Sequence, residues 1–271
     1  EVAGKHKKGY VLVVDGATAT KADGSYCRIG ERGHVTVTGY EHVRDLGRDA
    51  MAVLSVGACS AFGGIPAADP NPTGAVPASK LFEKEGITTP YVNIPGCPPH
   101  PDWIVGTIAT LLLGGIDALK LDAHHRPAAF FTELIHDRCT YRGDFDRGRF
   151  ARRFGDKGCL FLLGCKGPVT QADCPVRKFN NGTSWCCEAG HPCIGCCHPE
   201  FPFDGSLFRQ AFDHATTGQV LDENHANVSC TSCHADQNFT TAPSCTECHD
   251  PADRVSFPAK PVINGQEEIM T

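Results

Sequence analysis

Cysteine is the residue type that most constrains how this chain can fold. The chain has 16 cysteines in 271 residues, and most of them lie between Cys139 and Cys248, several in pairs two residues apart. Such clustering is typical of metal and cofactor ligation. The alternative is a disulfide framework, but such frameworks usually belong to much shorter secreted chains. We therefore expect metal or cofactor sites to organise much of the fold.

The C-terminal segment contains two copies of the motif Cys-x-x-Cys-His. The copies consist of Cys230, Cys233, His234, Cys245, Cys248 and His249. Two thiols at this spacing can bond covalently to a haem, and the adjacent histidine then becomes an axial ligand of the iron. Four such thiolates also suit a zinc ribbon, which does not need the histidines. The motif favours two c-type haems, with His214 and His225 as candidates for the second axial ligands.

Strand and helix patterns alternate in the first part of the chain. Apolar, β-branched runs occupy residues 9–15, 51–59 and 90–97, and helical segments are expected near residues 43–48 and 78–84. This alternation predicts an α/β fold with a parallel sheet, and the run at 9–15 reads as a strand buried on both faces. Cys59 and Cys97 follow two of the strands, where sites usually form.

The sequence predicts a helix that begins at Pro101 and ends at Gly114-Gly115. Beyond residue 126, no regular strand or helix pattern continues to about residue 210.

The charge of the chain argues against a nucleic-acid partner, and its longest apolar stretch argues against a membrane span. The net charge is only -6, and no long basic run is interleaved with aromatic residues, so we do not expect nucleic acid as a partner. The longest apolar stretch, residues 104–113, is too short to span a membrane, which needs about 20 residues. Because the chain has neither an initiator Met nor a signal peptide, we expect it to be processed or incomplete at its front.

Five motifs between residues 9 and 208 resemble those of the small subunit of nickel-iron hydrogenases. They are GACSAFGG, NPTGA, IPGCPPHPDW, GCKGP and GHPCIGC. The resemblance implies a flavodoxin-like α/β domain over residues 1–125, carrying part of a proximal cluster site. It further implies an irregular domain at 126–210 with medial and distal iron-sulfur clusters, followed by the di-haem segment at 211–271.

The resemblance also implies which residues bind the distal and medial clusters. The distal four-iron cluster would be bound by His136, Cys139, Cys159 and Cys165. The medial cluster would be bound by Cys174, Cys193 and Cys196. Many members have Pro after Ser-Trp and hold a three-iron cluster, whereas this chain has Cys186 there, which predicts a four-iron cluster. Cys187 is the competing ligand, and it or Cys197 could instead be a small buried residue.

The proximal cluster is only partly represented. Cys59 and Cys97 match two of its four ligands, and the family supplies the other two from an N-terminal Cys-x-x-Cys that does not occur before Cys27. We expect the missing ligands of this four-iron cluster to come from a preceding segment or from another polypeptide. Cys27 matches a position that is not a ligand, and we interpret it as buried packing. Gly64 stands where some oxygen-tolerant relatives have an extra cysteine, so their special proximal cluster is not expected.

The resemblance implies an electron-transfer role in a hydrogenase whose nickel-iron site lies in a separate large subunit. Electrons would leave through the haems to a cytochrome acceptor. Because haem attachment occurs outside the bacterial cytoplasm, we expect a periplasmic or extracytoplasmic complex. Two alternatives remain: a subunit of the respiratory complex I type, which carries a single cluster, and a ferredoxin-cytochrome carrier without a large subunit.

Overall fold

A three-stranded parallel sheet organises the first part of the chain in the computed structural model, which describes residues 5–203. The strands of the described part are β1 (Val11–Asp15), β2 (Thr18–Ala19), β3 (Arg28–Arg32), β4 (Val35–Thr38), β5 (Ala52–Val56), β6 (Ala75–Val76) and β7 (Tyr91–Ile94). The parallel sheet has the order β1-β5-β7, while β2 pairs with β6 and β3 with β4 in antiparallel ribbons. The predicted parallel α/β architecture is confirmed.

Helices connect and cover these strands. They are α1 (Gly39–Asp49), α2 (Ala58–Phe62), α3 (Gly64–Ala67), α4 (Ala78–Glu85), α5 (Pro101–Gly114), α6 (Ala128–Phe131), α7 (Arg142–Asp146) and α8 (Cys174–Arg177). Short 3-10 turns occur at Lys21–Gly24, Ile116–Ala118, Ile135–Arg138, Leu160–Leu163 and Gly167–Val169. The two helices expected between the strands correspond to α1 and α4.

Burial differs between the strands of the parallel sheet. All five residues of the central strand β5 are buried. Strand β1 lies at the edge of the described sheet, and Val13 is 49% exposed, so the expectation of burial on both faces is wrong for β1. An edge strand has a neighbour on one side only, which leaves part of its surface to solvent.

The β3–β4 hairpin extends away from the core. Every residue of β3 is exposed, and Cys27, which directly precedes it, is exposed as well. The interpretation of Cys27 as buried packing is therefore wrong. Its sulfur lies beside Gly39 at the start of α1, where the absence of a side chain leaves Cys27 open to solvent.

Helix α5 begins and ends as its sequence predicts. His100 is the N-cap, Pro101 occupies the first turn, and Gly115 ends the helix with a positive φ of 74°. Trp103, in the first turn of this helix, is fully buried. None of the helices within residues 5–203 is both long and apolar enough to cross a bilayer.

Residues 127–203 contain helices of at most five residues and isolated bridges instead of strands. It is nevertheless well packed, because one buried core contains Leu54 and Ile94 of the sheet together with Leu163 and Trp185 of this region. Its backbone groups are paired largely through hydrogen bonds within turns and between loops, such as Ile135 N–H to Thr170 O at 2.9 Å.

Arg126 is the main polar cross-link in this packing. It is 1% exposed, and its guanidinium donates to Asp122 Oδ2 at 2.7 Å, to Gln171 Oε1 at 2.7 Å and to the carbonyl of Cys197 at 2.9 Å. The cation also lies over the ring of Phe131, 5.6 Å from its centroid. One side chain therefore joins three segments that are far apart in the sequence.

We predict that Arg126→Met lowers the free energy of unfolding by about 3 kcal/mol, because it leaves the Asp122 carboxylate and the Cys197 carbonyl without their partner. Urea unfolding, followed by the fluorescence of buried Trp103 and Trp185, measures the loss. Arg138→Met is the matched control, since Arg138 forms a similar two-bond pair with Glu133 at an exposed site. The control should lose much less stability. Equal losses in the two variants would contradict a structural role for burial of Arg126.

Candidate metal centres

Twelve cysteines lie in the described part of the chain, and all of them are free thiols. Nine of them form three groups, which lie at the carboxyl edge of the sheet and in the irregular region. The first group is Cys59 and Cys97, the second is Cys174, Cys186, Cys193 and Cys196, and the third is Cys139, Cys159 and Cys165. Cys187 and Cys197 each lie beside one of these groups.

The first group is built by the loops that follow β5 and β7. The N–H of Ala58 donates to the carbonyl of Gly96 at 2.8 Å, which holds the two loops together. Burial raises the pKa of the Cys97 thiol, and the nearby charges of Cys196 and Cys59 raise that pKa further. A side chain at Gly64 would come within 2.9 Å of the sulfur of Cys59, so this position admits only glycine without rearrangement. Cys97 remains exposed.

The second group draws its four thiols from two segments, at residues 174 and 186–196. Burial and then the charges of Cys196 and Cys174 raise the pKa of Cys186 to about 11, although one side of Cys186 stays exposed. Burial also raises the pKa of Cys193, which lies close to Cys165 and Cys196. The two segments therefore converge on one buried site.

Helix α5 positions the first thiol of this group. The indole N–H of Trp103 donates to Asp173 Oδ1 at 2.7 Å, and Asp173 is the residue just before Cys174. The Nδ1 atom of His100 accepts from the N–H of Asp102 at 3.0 Å, so its Nε2–H is the donor to the carbonyl of Lys178 at 2.8 Å. Both ends of α8 are thus held against the start of α5.

The third group lies in three short turns. Burial raises the pKa of the Cys159 thiol, and the charges of Cys165 and Cys139 contribute to this shift. Backbone N–H groups point at these sulfurs: that of Tyr141 donates to Cys139 Sγ at 3.4 Å, and those of Gly167 and Cys193 donate to Cys165. Such donors stabilise thiolates, which are the form that binds metal.

His136 lies in the 3-10 turn that leads into Cys139. Its ring packs edge-on against Phe145, with centroids 4.5 Å apart. Burial lowers the pKa of His136, with a further decrease from the positive charge of Arg142, and this favours the neutral imidazole that can bind a metal. Within the described residues, the thiols of the third group interact with one another and with backbone N–H groups, but not with the ring of His136.

Sequence reasoning missed how Cys187 and Cys197 are placed. Both thiols are 1% exposed. The hydrogen bond from Cys187 lowers the pKa of Cys165 to about 6, and it also lowers the pKa of Cys139. Cys197 is in the same relation to Cys196, whose pKa it lowers, and it also contacts Cys174. The two Cys-Cys pairs in the sequence were the available signal, but spacing alone did not assign each thiol to a group.

The donor set suits iron-sulfur clusters. Free thiols from separate loops converge, are buried and receive backbone hydrogen bonds, which are the features of cysteinyl cluster ligation. Within residues 5–203, no three His, Cys, Asp or Glu side chains converge tightly enough to hold a single metal ion. The predicted residues His214 and His225 and both Cys-x-x-Cys-His motifs lie outside the described residues.

Two protein families match parts of this chain. Residues 131–209 match the C-terminal part of the NiFe/NiFeSe hydrogenase small subunit, and residues 2–111 match the NADH ubiquinone oxidoreductase 20 kDa subunit. The second match covers the α/β part, whereas the first covers all cysteines of the second and third thiol groups.

Characterised relatives cover most of the chain. It is 44% identical over 218 residues to the periplasmic [NiFeSe] hydrogenase small subunit of Desulfomicrobium baculatum, which is 77% of this chain and 69% of that protein. It is 40% identical over 233 residues to the quinone-reactive Ni/Fe-hydrogenase small chain of Wolinella succinogenes, which is 81% of this chain and 63% of that one.

Solved structures agree with these relatives. The oxidised recombinant [NiFeSe] hydrogenase of Desulfovibrio vulgaris Hildenborough aligns with a TM-score of 0.73 at 46% identity, covering 78% of each chain. The fold and the site, a parallel α/β domain with a cysteine-rich irregular region, are therefore those of an electron-transfer subunit. The chain belongs to the family of nickel-iron hydrogenase small subunits, whose members carry iron-sulfur clusters and pair with the large subunit that contains the catalytic site.

Proposed function

We propose that this chain transfers electrons from hydrogen oxidation in a large subunit, through three four-iron clusters, to two c-type haems and a cytochrome acceptor. The observation that carries the proposal is the linear order of the three thiol groups. Cys97 of the first group lies near Cys196 of the second. Cys193 of the second lies near Cys165 of the third, and the N–H of Lys166 donates to the Cys193 carbonyl at 2.7 Å.

Each group supplies ligands for one cluster in this proposal. Cys59 and Cys97 belong to the proximal cluster, which needs two further ligands from a preceding segment or another polypeptide. The medial cluster is held by Cys174, Cys186, Cys193 and Cys196, and the distal cluster by His136, Cys139, Cys159 and Cys165. Bound clusters would supply one-electron redox chemistry at these places. The protein excludes water from Cys159, Cys174 and Cys193, and it provides backbone donors to Cys139 and Cys165.

The electron exit is proposed on the haem motifs of the C-terminal segment. Cys-x-x-Cys-His occurs twice there, which a zinc ribbon does not require. Covalent haem attachment is consistent with a periplasmic or extracytoplasmic location, which is also the location printed in the name of the Desulfomicrobium relative. The complex I alternative is favoured only by the match over residues 2–111, which does not extend to the second and third thiol groups.

Isolation of the native protein tests the overall proposal. We expect it to copurify with a larger, nickel-containing subunit, and the complex to reduce a dye such as methyl viologen only when hydrogen is present. The same preparation under argon is the control. A chain purified alone, with clusters but without nickel or hydrogen-dependent dye reduction, would support the ferredoxin-cytochrome carrier instead.

We predict a c-type band in the pyridine haemochrome spectrum, corresponding to two haems per chain. The double variants Cys230→Ala/Cys233→Ala and Cys245→Ala/Cys248→Ala should each reduce covalently bound haem by about half, because each removes both thioether bonds of one motif. Haem-stained denaturing gels report the covalent attachment. Zinc in place of haem would overturn this part of the proposal without affecting the clusters.

We predict that Cys186→Ala converts the medial site to a three-iron cluster, because it removes the fourth thiol of the second group. The oxidised variant should then show the strong electron-spin signal of a three-iron cluster, which the wild-type protein lacks. Cys187→Ala is the matched control, since Cys187 is adjacent in sequence but contacts Cys139 and Cys165 of the third group. The signal in the wild type, or in the Cys187 variant alone, would contradict the assignment of Cys186.

A further inference from the structure

Cys174 is the one thiol of the second group that comes from a separate segment of the chain. The other three, Cys186, Cys193 and Cys196, belong to the segment 186–196. Cys174 is 7% exposed and begins α8, a helix of only 4 residues. A helix this short is not stable by itself. Contacts with other parts of the chain must therefore hold Cys174 at the site.

Asp173, directly before Cys174, is bound through both oxygens of its carboxylate. The indole N–H of Trp103 donates to Oδ1 at 2.7 Å. The guanidinium of Arg177 donates to Oδ2, from Nε at 2.9 Å and from Nη2 at 2.6 Å. Hydrogen bonds to a carboxylate are among the stronger ones, and this carboxylate cannot rotate without losing some of them. The position of Asp173 is therefore fixed.

Both hydrogen-bond partners of this carboxylate belong to helix α5 or contact it. Trp103 is fully buried in the first turn of α5, and its ring packs against Phe131 with centroids 4.9 Å apart. Arg177 also donates to Asp102 Oδ2 at 3.2 Å, which lies in the same turn of α5. With 14 residues, α5 is the longest helix of residues 5–203. The start of α8 is thus fixed to the most extended regular element near it.

The other end of α8 is linked to the remaining thiols. The N–H of Lys178 donates to the carbonyl of Cys174 at 2.9 Å, and its own carbonyl accepts from His100 Nε2 at 2.8 Å. The ammonium of Lys178 pairs with the carboxylate of Glu188 at 2.9 Å. Glu188 belongs to the segment 186–196, so α8 lies between α5 and the loop that carries the other three thiols.

We propose that Asp173 is a positioning residue of the medial site. By holding Cys174 against α5, it fixes the separation between this thiol and the segment 186–196 at the value that a four-iron cluster needs. The iron bound by Cys174 is thereby retained. The inference rests on the proposed function, which provides the medial cluster. Residues that orient metal ligands typically change metal retention by about 10-fold to 100-fold when they are replaced.

The test measures how fast the medial cluster loses iron in the complex of this chain with its large subunit. The complex is oxidised with ferricyanide in the presence of EDTA. A four-iron cluster then gives up one Fe²⁺ to EDTA and one electron to ferricyanide, which leaves an oxidised three-iron cluster. Electron spin resonance follows the three-iron signal, and the spectrum of Cys186→Ala identifies the medial form. Iron bound by EDTA is counted in the same samples.

We expect the medial three-iron signal to form about tenfold faster in Asp173→Ala and in Trp103→Phe, because each removes the hydrogen bond that holds Cys174 against α5. Trp103→Phe keeps an aromatic ring in the core, so it tests the bond even if Asp173→Ala does not fold. Asp173→Asn keeps an oxygen that can accept from Trp103, and its rate should lie between those of the wild type and Asp173→Ala.

Asp102→Asn is the matched control. It changes an exposed carboxylate that contacts Arg177 but not Asp173, so its rate should equal that of the wild type. The four-iron signals of the other clusters should decay at the wild-type rate in every variant. A residue with only a general structural role would not produce this selectivity for the medial cluster.

Three results would overturn the inference. Wild-type rates in both Asp173→Ala and Trp103→Phe would show that Cys174 is held without Asp173, while the proposed function would stand. Equally accelerated iron loss from all clusters would show that the substitutions only destabilise the fold. Absence of cluster iron from the wild-type complex would refute both this inference and the proposed function.

Discussion

The convergence of thiols from separate loops in a protein interior is the constraint on which the rest of this structure depends. Thiolates placed side by side repel each other, and burial makes their charge more costly. The pKa values of Cys193 and Cys97 are raised for both reasons. Backbone donors and hydrogen-bonding thiols offset part of this cost, and positively charged iron would offset much of the remainder.

The fold brings the thiols together by packing the irregular region against the regular sheet and α5. The sheet and α5 are stabilised by their own backbone hydrogen bonds and by burial of residues such as Leu54 and Trp103. The turns of residues 127–203 have their own backbone hydrogen bonds but no extended strand or helix, and side-chain contacts fix them to the regular part. Trp103 holds the segment of Cys174, and Arg126 holds that of Cys197. Stability and site geometry therefore depend on the same side chains.

Residues that are adjacent in the sequence link neighbouring thiol groups. Cys186 and Cys187 face different thiol groups, and the Lys166–Cys193 backbone bond joins the loops of the second and third groups. The loops of neighbouring groups are therefore joined by direct contacts. For electron transfer this arrangement is useful, because fixed positions keep the distances between redox centres constant.

The sequence by itself determined the parallel α/β architecture, the limits of α5 and the family, since these depend on local periodicity, on capping residues and on motifs with a fixed spacing. It also predicted which cysteines bind each cluster, and those assignments stay predictions. Only the tertiary structure decided that Cys27 is exposed, that β1 is partly exposed, and which group Cys187 and Cys197 contact. These properties depend on which distant segments pack around a residue. Two neighbouring cysteines in an irregular loop carry no periodicity that could assign their directions, so only the packed structure separates them.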